Sequence, residues 1–240
     1  MDGYNAEKSP LKSEPEKEES NLTNTKLNSD SSFDSKYQTL EELAEEEDTK
    51  MGWCADFTNV KDGASTISCP KRYRTITVIA PALRRNGLKN VKVHSNVRSI
   101  KMDTASGYFF IVDPDNQKYC SVDGVLYSKD KRILYSIPQD AASFNIPDSV
   151  EVIGPYALYF SSLASIIIPS SVHVICKNAF AYSKKLKSIY IPNTVLKIAE
   201  NAFEGNKKMI IETAFLEKPI SWDFDLSNVK EIKWGIRGQK

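Results

Sequence analysis

Residues 144–208 repeat one pattern three times, and that repetition constrains the fold more than any other feature of the chain. The copies are FNIPDSVEVIGPYALYFSS (144–162), LASIIIPSSVHVICKNAFAYSKK (163–185) and LKSIYIPNTVLKIAENAFEGNKK (186–208). Pro147, Pro169 and Pro192 fall 22 and 23 residues apart. Around them recur Ile146/Ile168/Ile191, Val150/Val172/Val195, Ile153/Ile175/Ile198 and Ala157/Ala179/Ala202. One such unit cannot bury its own apolar face, so units of this length stack on one another into a solenoid.

The repeat has a local physical logic. In Leu186-x-x-Ile189-x-Ile191 the last two apolar residues alternate, as in a short strand with one buried face. Pro192 has no ladder donor and ends that strand. Val195-x-x-Ile198 then returns apolar side chains to the interior, and Asn201-Ala202-Phe203 adds a small residue for close approach and a ring to fill the layer.

The pattern L-x-x-I-x-I-P-x-x-V-x-x-I-x-x-x-A-F resembles the BspA-like class of leucine-rich repeats over about residues 88–235. Two positions depart from it: Leu158 stands where the other copies carry Phe, and Ala199 where the earlier copy has Gly154. The resemblance implies a mostly β fold with short helical or 3-10 turns, a leucine-rich-repeat solenoid behind a disordered acidic tail. It also implies a non-enzymatic binding module of the cell surface or a secreted one, mediating protein–protein or adhesion contacts. The partner would be a protein, such as a host or extracellular-matrix protein. An intracellular repeat scaffold and a carbohydrate-binding module are the alternatives.

Charge divides the chain. Residues 1–50 carry 6 lysines against 14 carboxylates, a net of −8, while residues 51–240 carry 26 basic and 17 acidic residues, a net of +9. Few large apolar residues interrupt the acidic part, so it cannot offset the entropy of its own ordering. It reads as a disordered tail over 1–50, with Leu40 and Leu43 spaced for one face of a short helix over Tyr37–Glu47. No apolar signal core opens the chain, and no stretch of ~18 apolar residues exists to span a membrane. Location therefore stays open between export and the cell interior. Cys54, Cys69, Cys120 and Cys176 fit no CxxC spacing and are expected as structural thiols; an exported chain can close Cys54 onto Cys69.

Residues 51–87 read as an N-terminal capping segment whose alternating Tyr73–Ile76–Val78 suits a strand. Arg72, Arg74, Arg84 and Arg85 lie close by, without any nucleic-acid-binding motif, so no nucleic acid partner is expected. The solenoid is placed at 88–208, with LKNVKVHSNVRSIK (88–101) as a degenerate first repeat and a hairpin insertion at 108–140. Within the insertion, Asp123-Gly124 opens a strand, and Val125–Ser128 pairs with Ile133–Ser136. Asp113, Asp115 and Asn116 hint at a calcium loop but lack its glycine and closing glutamate, so no metal is expected. Residues 209–240 read as a C-terminal cap in which Trp222 and Trp234 cover the last repeat, with a sugar-stacking platform as the other reading.

No catalytic constellation is present. His94 and His173 both occupy repeat-register positions, and no nucleophile elbow, zinc-protease helix or phosphate loop occurs. The expectation is a non-enzyme without cofactor. What a solenoid offers is a sheet face whose outward residues differ from rung to rung. Lys92, Asn145, Ile167 and Tyr190 form the expected outward column, flanked by Ser165 and Ser188, and an exposed Ile beside a Tyr marks it as the candidate binding surface.

Overall fold

The computed structural model describes residues 54–56, 66–68, 74–79, 89–103 and 107–236. The acidic segment, Cys69, Arg72, Tyr73, Arg84 and Arg85 lie outside them, and with them the expected tail helix and the Cys54–Cys69 pairing.

In chain order the strands are β1 (Cys54–Asp56), β2 (Thr66–Ser68), β3 (Thr75–Ile79) and β4 (Asn90–Val93). They continue with β5 (Ser99–Asp103), β6 (Phe109–Val112), β7 (Tyr119–Val122), β8 (Val125–Ser128) and β9 (Ile133–Ser136). The regular repeats supply β10 (Val152–Ile153), β11 (Ser165–Ile167), β12 (Val174–Ile175), β13 (Ser188–Ile191) and β14 (Lys197–Ile198). The chain closes with β15 (Met209–Thr213) and β16 (Val229–Lys233). Among the described residues the one regular helix is a 3-10 turn at Leu226–Asn228.

Strands alternate between two ladders as the chain winds, and the interior is filled by the side chains of the rungs themselves. The sheets run β1-β3-β5, β2-β4-β6, β7-β8-β9-β10-β12-β14 and β11-β13-β15-β16. All neighbours pair in parallel except within β7-β8-β9. The result is a β-solenoid of about six turns. That exceeds the three regular copies of residues 144–208, because parallel pairing also runs back to Cys54 and forward to Lys233.

Each proline does what its chemistry requires. β13 stops at Ile191, directly before Pro192, and the next three residues turn. The turn is the same in every copy: Val150, Val172 and Val195 donate their N–H groups to the carbonyls of Pro147, Pro169 and Pro192 at 3.0, 3.1 and 3.2 Å. The repeated valines, isoleucines and alanines are all buried, and Phe180, Phe203 and Phe224 carry ring contacts along the axis at 5.5 and 5.1 Å. Leu158 begins that row, so the missing ring is a packing change at its first rung. Cys176 is buried and free, in the slot of Gly154 and Ala199; there a Cβ on Gly154 would come 2.9 Å from the Leu134 carbonyl. A buried polar column runs beside the apolar one. Ser183 Oγ donates to the Leu158 carbonyl at 2.7 Å and accepts from the Ser161 N–H at 3.1 Å, and Asn206 Nδ2 donates to the Phe180 carbonyl at 3.0 Å.

The interruption differs from its expected form. Val125–Ser128 and Ile133–Ser136 do pair as an antiparallel hairpin. Asp123-Gly124, however, is the two-residue turn of a second hairpin, β7–β8, rather than the start of a strand. Its residues have φ of 50° and 79°, the left-handed pair that such a turn demands. Residues 109–112 also belong to the ladder, as β6 on β4, so the pattern departs from the repeat only after Val112. The tip of β7–β8 folds onto the free edge of β6: Phe110 N–H donates to the Gly124 carbonyl and Val112 N–H to Ser121 Oγ, both at 3.0 Å. Arg132 then pins the hairpin to the first regular rung through a two-pronged contact with Glu151, at 2.8 and 2.7 Å.

A methyl group at Gly124 would meet the Phe109 ring at 2.2 Å in a backbone conformation that L-residues resist. Gly124→Ala is therefore expected to lower the unfolding free energy by at least about 1 kcal/mol in urea denaturation, by loosening the hairpin tip from β6.

Candidate interaction surface

The outward face of β11-β13-β15-β16 is set by strand register. Ser165 pairs Ser188, and Ile167 pairs Tyr190, which pairs Glu212, which pairs Lys233. Ile166, Ile189 and Ile211, one step over, point into the core. Alternation thus leaves Ile167 60% exposed on β11, the end strand of its sheet, beside a half-buried Tyr190. The column ends in an ion pair, Lys233 Nζ to Glu212 Oε1 at 3.0 Å. That hydrogen bond raises the Lys233 pKa above the ordinary lysine value, so the ammonium stays charged throughout the physiological range.

Four of the six expected site residues are brought together here: Ile167, Tyr190, Ser165 and Ser188. The other two are not. Lys92 lies in the separate sheet β2-β4-β6, paired with Ser68 and Ile111. Asn145 is exposed but belongs to no strand, because residues 139–146 join no ladder. The expected single column is therefore two patches. The second patch is Lys92 with Phe109 and Ile111, which are 40% and 42% exposed. Reading 108–140 as an insertion hid these two apolar residues; the available signal was Phe110 and Val112 in the place of Val91 and Val93.

Three other expectations find their place. Asn116 does not face solvent as a loop ligand. It is fully buried, donating through Nδ2 to the His94 and Val97 carbonyls and accepting at Oδ1 from the Lys118 and Tyr119 N–H groups, at 2.8 to 3.0 Å. Asp113 closes a local turn by accepting from the Asp115 N–H. Among the described residues no cluster of His, Cys, Asp and Glu could hold a metal ion. Trp222 is 1% exposed, donates to the Val195 carbonyl at 3.2 Å and stacks on Trp234, so its face is not open to a sugar. His94 accepts from the Asn96 N–H, and His173 lies by the Ser171 carbonyl, each a contact within its own turn. Tyr127, buried behind the hairpin, has its hydroxyl pKa pushed up to about 12 by burial first and then by Cys120 and Asp123; it stays neutral and structural.

A parallel solenoid of short rungs, with an outward face of exposed apolar, aromatic and paired charged residues, is the architecture of a leucine-rich-repeat protein. Residues 130–218 match the family described as "BspA type Leucine rich repeat region", in six copies. Among curated proteins, none matches the chain. Solved structures similar to it include a leucine-rich repeat protein from Eubacterium ventriosum, 22% identical with a TM-score of 0.49, over 66% of this chain and 48% of that one. The pneumococcal vaccine antigen PcpA is 18% identical with a TM-score of 0.48, over 74% and 50%. A leucine rich cell surface protein from Faecalibacterium prausnitzii is 22% identical with a TM-score of 0.45, over 70% and 53%. The chain spans about half the length of these structures. Leucine-rich repeats of this family are typically non-enzymatic and generally mediate protein interactions. Among the described residues no helix is long and apolar enough to cross a membrane.

Proposed function

We propose that the chain is a protein-binding module that uses the outward face of β11 and β13 as its contact surface. The observation that carries the reading is Ile167, a large aliphatic side chain held 60% exposed in register with Tyr190. A rigid apolar anchor beside an aromatic ring, rimmed by small hydroxyls and an ion pair, has the composition of a binding hot spot with a polar rim. Ser165 and Ser188 leave room for a partner to approach the backbone. Lys92, Phe109 and Ile111 form a second contact area on the same winding of the chain, across the unladdered stretch that holds Asn145. The location at a cell surface, and a host or matrix protein as partner, rest on the resemblance of the repeat to BspA-like surface proteins.

The test is a capture experiment with two folded variants compared against the parent. Ile167→Glu/Tyr190→Ala is expected to weaken capture of the bound protein at least tenfold, the loss of about 1.4 kcal/mol or more that a hot-spot pair supplies. Lys92→Glu/Ile111→Ala is expected to have the smaller effect. Equal capture by parent and the first variant would remove the β11–β13 face from the reading.

A further inference from the structure

The outer turns of the solenoid present a surface that the binding face does not use. Each regular rung turns through two left-handed residues, Tyr156/Asn178/Asn201 and Phe160/Tyr182/Gly205, with φ between 56° and 65°. Asn and Gly accept that conformation readily, whereas bulky aromatic residues adopt it only against steric resistance. Three aromatic residues are nevertheless held there, and all three converge. Tyr159 lies 5.5 Å from the Tyr156 ring, 4.7 Å from Phe160 and 5.5 Å from Tyr182, and Phe160 stacks on Tyr182 at 5.4 Å. None of the four rings is fully buried, so together they form a half-exposed aromatic cluster on the outer turns. A cluster of this kind is apolar surface that a partner segment can cover.

Directly beyond the rings stand four lysines. Lys184 and Lys185 follow Ser183, and Lys207 and Lys208 follow Asn206 one rung later, all exposed. The Lys184 N–H donates to the Tyr182 carbonyl, and the Tyr182 N–H to the Glu204 carbonyl of the next rung, so ring cluster and lysine turns are one unit. Glu204 is the carboxylate at its border, where Oε1 accepts from the Tyr182 hydroxyl at 3.1 Å. None of the four lysines makes an ion pair among the described residues.

We propose that the occupant of this surface is the chain's own acidic segment, residues 37–48. That segment places Tyr37, Leu40 and Leu43 among six carboxylates, Glu41, Glu42, Glu45, Glu46, Glu47 and Asp48. Carboxylates meet the unpaired lysines, and the interleaved apolar side chains meet the ring cluster; the charge division of −8 against +9 becomes an internal contact. The reach is sufficient. Five to six rungs separate β1 from the lysine turns, about 30 Å at ~4.8 Å per rung. The 13 residues from Glu41 to Cys54 extend to about 45 Å and the 9 from Glu45 to about 30 Å, so the part up to Glu45 reaches the lysine turns while Glu46, Glu47 and Asp48 belong to the tether. An external acidic partner gains this surface only by displacing the segment.

The experiment is residue-resolved acetylation of the full chain at low salt, read by mass spectrometry. Parent protein is compared with the variant Glu41→Gln/Glu42→Gln/Glu45→Gln/Glu46→Gln, whose substitutions all lie outside the solenoid. Lys184, Lys185, Lys207 and Lys208 are expected to react several-fold more slowly in the parent than in the variant, while the exposed Lys92 and Lys118 react equally in both. Molar salt abolishes the difference, because exposed ion pairs are screened. Tyr182→Gly, which installs the residue found one rung later, reduces the protection without unfolding the chain. Equal acetylation in parent and variant overturns the proposal, as does protection that Lys92 and Lys118 share. Protection that disappears on dilution assigns the contact to a second copy and overturns the internal one.

Discussion

Asn116→Ala is expected to lower the unfolding free energy by about 4 kcal/mol, the largest effect of any polar substitution in the described chain. The side chain holds four backbone groups at once. Two of them, the His94 carbonyl and the Lys118 N–H, lie in partly buried positions where water can take over. The Val97 carbonyl and the Tyr119 N–H are buried and would be left without partners. Each such orphan costs about 1–3 kcal/mol, which gives the estimate. The neighbouring Asp113→Ala removes an exposed turn contact and is expected to cost under about 1 kcal/mol. Urea denaturation of the two variants checks both numbers. Near-equal midpoints would mean that Asn116 does not tie the turn after β4 to the start of β7.

Trp222→Ala is the second large effect, at about 4 kcal/mol for loss of a fully buried ring. The indole is the meeting point of the last rungs: it contacts Phe215, Phe224 and Trp234 and donates to the Val195 carbonyl. Its backbone bridges Ile198, so it stands where the next strand of that ladder would be. A solenoid is a chain of nearest-neighbour interfaces, and removing the last of them frees that end first. Hydrogen exchange in the variant should accelerate in β14–β16 well before it does in β7–β10. Trp234, half-buried, is expected to cost distinctly less when truncated. Uniform acceleration along the whole chain would show that the rungs unfold as one unit and that Trp222 has no special hold on the end.

The regular rungs were readable because their information is local and repeated. Pro147, Pro169 and Pro192 each start the same turn, and the valine three residues on closes it. The buried columns follow from that register, down to Cys176 filling a slot where its neighbours have Gly and Ala. The hairpin β8–β9 was legible for the same reason, two alternating runs about a polar turn. Its partner β7 was not. Tyr119–Val122 is only four residues long and shows no apolar–polar alternation, and the left-handed Asp123-Gly124 pair can only be seen as a turn once both flanking strands are known.

The binding face shows the same division. Ile167, Tyr190, Ser165 and Ser188 are neighbours because period and alternation make them so. Asn145 and Lys92 have the right spacing but the wrong neighbours: one lies on a stretch that joins no ladder, the other in a sheet that ends at β6. Spacing states which residues are equivalent within a rung, not whether adjacent rungs actually hydrogen-bond. The interruption at 113–146 breaks that link, and its own hairpin covers the exposed edge.

The sequence by itself determined the solenoid, its interior columns, its turns and the half of its outward face that lies within the regular repeats. Tertiary structure alone decided where the ladders break, that Phe109 and Ile111 stand outward, and that Asn116 is buried inside. It alone also gathered Tyr156, Tyr159, Phe160 and Tyr182 beside four lysines. The reason is the range of the interactions. A repeat encodes contacts between equivalent positions one period apart, whereas edges, ends and outer turns are fixed by contacts that have no equivalent elsewhere in the chain.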